Sequence, residues 1–245
     1  MSSSIRRLYV TWRNPSGSML PVGLLSQHFD GDGPSYEFVY LKLAEQSDTF
    51  EPLPGLPDLH RRYRSSRLFP VFANRQMPRE RPDYDAFVTR LDLDVEADPF
   101  EVLARSEGRR ATDRIEVFAA PTRSGDQLVT LFFARGIRHL EGATEAIETL
   151  SEGDHLVLVD EPDNEFNPRA ILLNTTTDRV VGHAPDYLVD TIHQLRDLGA
   201  EPLDVTVEHV NDSRTAPHMR LLCRLSAPWP NGYEPLSGPE FLPLP

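Results

Sequence analysis

Cysteine is all but missing: Cys223 is the only one in 245 residues. A lone thiol excludes an internal disulfide and any zinc site of the usual multi-cysteine kind. It suits a reducing, cytoplasmic setting. No apolar run approaches the roughly 20 residues of a membrane span, so no membrane association is expected. Met1–Arg7 (MSSSIRR) passes straight into a short alternating segment, with no long apolar stretch and no cleavage site. Export is therefore not expected. Lysine is scarce too: of 25 basic residues only Lys42 is lysine, the rest being arginine. That ratio reads as codon bias and carries no functional inference. Glycine-rich phosphate loops, a G-x-S-x-G elbow and a kinase signature are all absent, which leaves no case for ATP hydrolysis or a dinucleotide cofactor. No cofactor, no metal and no catalysis are expected.

Acidic side chains outnumber basic ones 38 to 25, for a net charge of −13. The imbalance is uneven. Residues 1–127 hold 17 basic and 19 acidic side chains, a balance of −2, whereas residues 128–245 hold 8 and 19, a balance of −11. The second stretch repels nucleic acid at long range unless it carries a local basic pocket. Hydrophobic residues make up 39%, enough for a core.

Arg6–Arg13 (RRLYVTWR) alternates and is rich in β formers, which predicts a strand. Pro21–Ser26 and Tyr36–Tyr40 extend it into a small antiparallel sheet. Between them lies Asp30–Pro34 (DGDGP), whose first four residues look like the start of a calcium loop but lack the later ligands, so a hairpin turn is expected. The prolines of 51–58 (EPLPGLPD) forbid helix and central strand. Asp83–Leu91 and Asp98–Arg105 begin with aspartate caps and read as helices. The acidic Asp92–Asp98 (DLDVEAD) between them reads as a solvated connection. Arg114–Ala119 and Leu128–Ala134 are strands, and the polar Pro121–Gln127 between them is the best domain boundary. Further on come a short helix at Gly142–Leu150, strands at His155–Val159, Ala170–Leu173 and Arg179–His183, and a helix from Pro185 to about Leu198, with Leu188, Ile192, Leu195 and Leu198 on one stripe. Leu203–Val210 and His218–Leu225 close the set as strands. The expected class is α+β: residues 1–127 as a small antiparallel sheet with helices, residues 128–226 as a small closed or half-open barrel with two helices, and residues 227–245 as a proline-rich tail.

Two features stand out chemically. Arg61–Arg81 (RRYRSSRLFPVFANRQMPRER) holds seven arginines, among them Arg61, Arg62, Arg64 and Arg67, interleaved with Tyr63, Phe69 and Phe72. Arginines neutralise phosphates and aromatic rings stack on bases, so this is a candidate nucleic-acid strip. Partner contact and intramolecular pairing are the alternatives. The second feature is an ordered set: Gly136–Gly142 (GIRHLEG), the loop Asp160–Ala170 (DEPDNEFNPRA), and Val181–Leu188 (VGHAPDYL). Over a barrel rim they make a shallow pocket of Arg138, His139, Phe166, Asn167 and His183. A cation, an aromatic face and an amide suit a nucleotide's phosphate, base and sugar. Cys223, within LLCRL, reads as a buried small apolar residue.

This second set resembles the HIRAN domain, whose signature is a G-x-R-x-x-x-G turn, an E-P-D-N-x-x-[DN]-P-x-A-I loop and an [IV]-G-[YH]-x-P-x-x-L segment. The resemblance covers about residues 128–226. It implies an OB-like barrel that captures the 3′ end of single-stranded DNA. By position, Arg138 would contact backbone, His139 would stack, Phe166 would be the loop aromatic, Asn167 would bond the terminal sugar hydroxyl and His183 would lie beside the pocket. His139 stands where the fork-remodelling helicases of the family have tyrosine, Asn167 where they have aspartate, and Asp186 where its DNA-binding members carry a nearby lysine. The first half resembles the small N-terminal subdomain of HipA-type toxin kinases, through LYVTWR, V-G-L-L, Tyr36–Tyr40, S-S-R-L-F-P-V-F-A-N-R and D-P-F-E-V-L followed by G-R-R-A-T-D. The catalytic parts of the kinase core have no counterpart here. Stand-alone copies of that subdomain act as antitoxins, which makes a protein partner the alternative to single-stranded DNA.

Overall fold

β-forming residues build the first sheet, and its first strand buries Leu8, Tyr9, Val10 and Thr11 in succession rather than alternately. In the computed structural model, which describes residues 5–30, 33–110 and 112–245, the alternating segment is β1 (Ile5–Arg13). The chain then runs β2 (Met19–Asp30), β3 (Gly33–Tyr40), α1 (Lys42–Gln46), β4 (Tyr63–Ser65), α2 (Pro70–Ala73), α3 (Tyr84–Arg90), α4 (Pro99–Ser106) and β5 (Ile115–Ala119). The five strands form one antiparallel sheet in the order β4-β3-β2-β1-β5. Gly31 and Asp32, at the centre of the expected β2–β3 turn, lie outside the described residues, as do Met1–Ser4 and Ala111.

One face of this sheet carries the core. Leu8 and Val10 of β1 join Tyr36, Phe38 and Tyr40 of β3, and Phe72, Phe100 and Leu103 of the helices. Gly23 in β2 is glycine because a Cβ there would sit 2.5 Å from the Phe38 ring. The proline-rich 51–58 stretch forms neither helix nor strand, as its prolines require. It is still fixed: Tyr40 donates to the Leu56 carbonyl and accepts from the Leu53 amide, both at 2.7 Å. Asp98 caps α4 as expected, accepting from the Phe100 amide at 2.6 Å.

The second sheet comprises β6 (Thr122–Ser124), β7 (Gln127–Phe133), β8 (His155–Asp160), β9 (Ile171–Thr175), β10 (Val180–His183), β11 (Asp204–Val210) and β12 (Leu221–Pro228), with α5 (Ala143–Ile147) and α6 (Asp186–Asp197). Its order is β10-β9-β8-β11-β12-β7-β6, antiparallel throughout. The fold is mixed α+β. The sheet is not a closed barrel: a single bridge, Arg135 to His183, joins β10 to the chain just past β7. The polar stretch 121–127 is a hairpin, β6 turning into β7. His218 is not on a strand but in a 3-10 turn, Pro217–Met219, because Pro217 cannot donate to a ladder. α6 buries Leu188, Ile192 and Leu195 as its periodicity predicts, yet Leu198 is its C-cap and is 56% exposed. Cys223 is fully buried in β12, and burial pushes its thiol well up.

The chain divides into two compact units. The first holds the residues up to Thr89, Leu93–Ala120 and Leu236–Pro245; the second holds Arg90–Asp92 and Pro121–Pro235. Among the described residues no helix is long and apolar enough to cross a membrane.

Candidate nucleic-acid interface

The three motifs of the second unit meet at His183. Its backbone makes both bonds of the bridge: Arg135 N–H donates to the His183 carbonyl at 2.8 Å, and His183 N–H to the Arg135 carbonyl at 2.9 Å. The imidazole lies against Gly136, where a Cβ would come within 2.8 Å of Nδ1. Gly136 also has φ +70, which glycine adopts without strain and which starts the 3-10 turn Ile137–His139. On its other side His183 Nε2 meets Glu161 Oε2 at 2.8 Å, so the glycine turn, the loop and β10 share one contact.

Glu161 passes this anchorage into the loop. The same Oε2 accepts from Asn164 Nδ2 at 2.6 Å. Asn164 Oδ1 in turn accepts the backbone N–H groups of Phe166 and Asn167, each at 3.0 Å. This is an Asx turn, in which the side chain stands in for backbone. The loop base is closed by Glu161 N–H to the Ala170 carbonyl at 2.9 Å, and its far end by Arg169 paired with Asp190 of α6 at 3.1 Å. Asn167 Oδ1 accepts from the Arg169 amide at 2.9 Å. On this hydrogen-bonded loop the Phe166 side chain is 93% exposed. Arg138 and His139 are exposed neighbours, with Arg138 Nε donating to His139 Nε2 at 2.9 Å.

Burial alone would raise the Glu161 carboxyl, but the hydrogen bonds from Asn164 and His183 and the attraction of His183 outweigh it and hold the group below its ordinary value of 4.5. A carboxylate depressed in the folded state stabilises the fold at pH above its unfolded pKa, and the stabilisation is lost as pH falls through the folded value. Glu161→Gln should therefore be less stable than the parent at neutral pH, and the gap should close in the acid range below about pH 4.5. Urea melts at stepped pH check this; a gap that stays constant down to pH 3 would contradict it.

Glu161 is the member that reading the sequence missed as a site residue, although it opens the E-P-D-N run. Gly182 is another: a Cβ there would lie 2.9 Å from Ala134 Cβ and 3.0 Å from the Arg135 carbonyl, so only glycine lets β10 approach the bridge.

The arginine run of the first unit looks different in three dimensions. Its aromatics are core residues, not free faces: Tyr63 and Phe69 are 8% exposed and Phe72 is fully buried. They cannot stack on bases, because L-F-P-V-F folds α2 onto the sheet. Arg62 and Arg64 both bind Glu37, Arg75 pairs with Asp113, Arg79 with Glu96 and Arg81 with Asp83. Arg61 lies over the Tyr63 ring at 5.2 Å, and Arg67 is exposed. Intramolecular pairing thus absorbs much of the run, the four arginines singled out remaining at the surface.

The family model described as HIRAN domain matches residues 128–229, from β7 to just past β12. Residues 128–229 are thus similar to HIRAN domains. Two solved structures are similar to the chain. One is the HIRAN domain of human HLTF, 15% identical, spanning 43% of this chain and 81% of that one, with a TM-score of 0.33. The other is a protein from Lactobacillus plantarum, 19% identical, spanning 41% and 96%, with a TM-score of 0.35. No curated protein matches the chain. The HIRAN match leaves residues 1–127 outside it, so the HipA-like reading of the first half gains nothing from it. All three motifs around His183 fall inside the match, and so do Arg138, His139, Phe166 and Asn167.

Proposed function

We propose that the protein is a non-catalytic, cytoplasmic module that binds single-stranded DNA, at its 3′ end, through the HIRAN domain. The observation that carries this reading is Phe166, an almost fully exposed ring on a loop whose backbone is pinned by Asn164 and Glu161. A ring held out in water by a hydrogen-bonded loop is a pre-organised stacking face, and every base has a matching one. Arg138 supplies the cation for a phosphate, and His139, drawn alongside it, a second flat ring. Asn167 keeps a carboxamide beside the ring; among the described residues no hydrogen bond engages its Nδ2, the group that would meet a sugar hydroxyl. His183 positions the loop through Glu161. On the first unit, taken by itself, the exposed Arg61, Arg62, Arg64 and Arg67 offer phosphate contacts of the kind that salt screens, Arg62 and Arg64 in competition with Glu37.

Phe166→Ala should weaken binding by about 1–3 kcal/mol, the worth of one stacked base, and Arg138→Ala should weaken it and flatten its salt dependence. Fluorescence anisotropy reads this with three oligonucleotides: a single strand with a free 3′ hydroxyl, the same strand 3′-phosphorylated, and a blunt duplex. Binding that survives moderate salt and drops on 3′ phosphorylation supports end capture. Unchanged affinity in both variants sinks the pocket. The excess of 11 negative charges over residues 128–245 favours a second reading, a module for a protein partner of antitoxin or defence-complex type. No binding to any of the three oligonucleotides, even at low salt, would transfer the function to it.

A further inference from the structure

Residues 236–245 (LSGPEFLPLP) belong to the first unit, although 115 residues of the second separate them from its sheet. They are held there in three ways. The first is backbone. β4 pairs with β3 only at Tyr36–Phe38. Further along β3 the same edge is taken by the segment: Leu244 N–H donates to the Tyr40 carbonyl at 2.8 Å, Lys42 N–H donates to the Leu242 carbonyl at 2.9 Å, and Leu41 bridges Pro243. The second is aromatic. The Phe241 ring meets Tyr9 edge-on at 5.2 Å, Tyr9 stacks on Phe118 at 5.8 Å, and the Tyr9 hydroxyl donates to the Leu236 carbonyl at 3.5 Å. The third is apolar. Leu244 is buried in the core that contains Tyr40 and Phe50.

Only Leu242–Leu244 runs extended along the edge, after the 3-10 turn Pro239–Phe241; extended peptides add to sheet edges in this mode, main-chain bonds supplying affinity and side-chain slots supplying specificity. The segment contacts the unit as a ligand would. The joint that carries it is Leu236, held at φ +55, a conformation disfavoured for any bulky residue. A short arm on a strained joint is the arrangement from which elements exchange between copies.

We infer that the β3 edge beyond β4 and the Tyr9 slot form a peptide-docking site, filled in cis by residues 236–245 and available in trans to the same segment of a second copy of this chain. The tether holds the cis segment at an effective concentration on the order of millimolar, so it wins in dilute solution. Weakening the cis segment opens the site. This inference is independent of DNA binding.

The test is a fluorescein-labelled peptide of residues 236–245, titrated by anisotropy into three full-length proteins. The parent chain should bind it weakly. Phe241→Ala with Leu244→Ala should bind it at least tenfold more tightly, because its own segment no longer competes. Adding Tyr9→Ala should abolish that gain. If the segment is only part of the core, the double variant loses stability and binds the peptide no better than the parent; that result overturns the proposal. Should the double variant fail to fold alone, refolding with excess peptide decides: recovery of the native near-UV spectrum supports the site, and no recovery rejects it.

Discussion

Arg75→Ala is expected to destabilise the first unit by about 2–4 kcal/mol, more than any other single arginine in the 61–81 run. Its side chain is 3% exposed. Nε donates to the Val71 carbonyl at 3.1 Å, and one terminal nitrogen to the Gly108 carbonyl at 2.9 Å. Both terminal nitrogens engage Asp113, at 3.0 and 2.6 Å. One guanidinium therefore ties α2 to the turn after α4 and to the approach to β5. Truncation takes a donor from three carbonyls, those of Val71, Gly108 and Ile115, and the cationic partner from a carboxylate that is about one-third exposed, which sets the cost below that of a fully buried pair. Lysine cannot rescue it, since a single ammonium does not reproduce a planar fork. Arg67→Ala, at the exposed end of the run, should fall within about 0.5 kcal/mol of the parent. Urea denaturation of the full chain checks both, and a cost for Arg75→Ala below about 1 kcal/mol would remove it from the fold's supports.

The contrast between Arg75 and Arg67 shows where reading a sequence stops. Both are arginines in one basic run, and nothing local separates them; the partner of Arg75 lies 38 residues away. Tyr63, Phe69 and Phe72 read as stacking faces for the same reason, and the structure buries all three. Alternation and caps fared better. β1, α4 and α6 begin within a residue or two of where their patterns place them, because period and cap are local properties. α1, α2 and β4 have five, four and three residues, too few to show any period, and none was legible. Closure of the second sheet was not legible either. It depends on how many residues pair across β10 and the chain past β7, and one pair forms. The site motifs were readable as motifs, but their convergence on His183 rests on Gly182 and Glu161, whose roles appear only when β10, the turn and the loop are in place.

Gly182→Ala follows from that convergence and should cost about 1–3 kcal/mol, the range for a methyl forced into filled space. The new Cβ would meet Ala134 Cβ at 2.9 Å and the Arg135 carbonyl at 3.0 Å, the segment that bridges His183. Backbone and a buried neighbour cannot swing aside as a long side chain can, so β10 must move. Movement stretches the two bridge bonds and draws His183 from Glu161. Glu161 then holds Asn164 less firmly, and the Asx turn under Phe166 loosens. The variant should thus lose amide-exchange protection in residues 160–170 as well as global stability, and on the function proposed above its affinity for a single strand should fall although Arg138, His139, Phe166 and Asn167 are unchanged. Gly153→Ala gives the contrast: its φ of +86 also disfavours alanine, but nothing lies within 4 Å of the added methyl. Loss of stability in Gly182→Ala with full protection of the 160–170 loop would mean that the loop holds its shape without β10, and His183 would lose its positioning role.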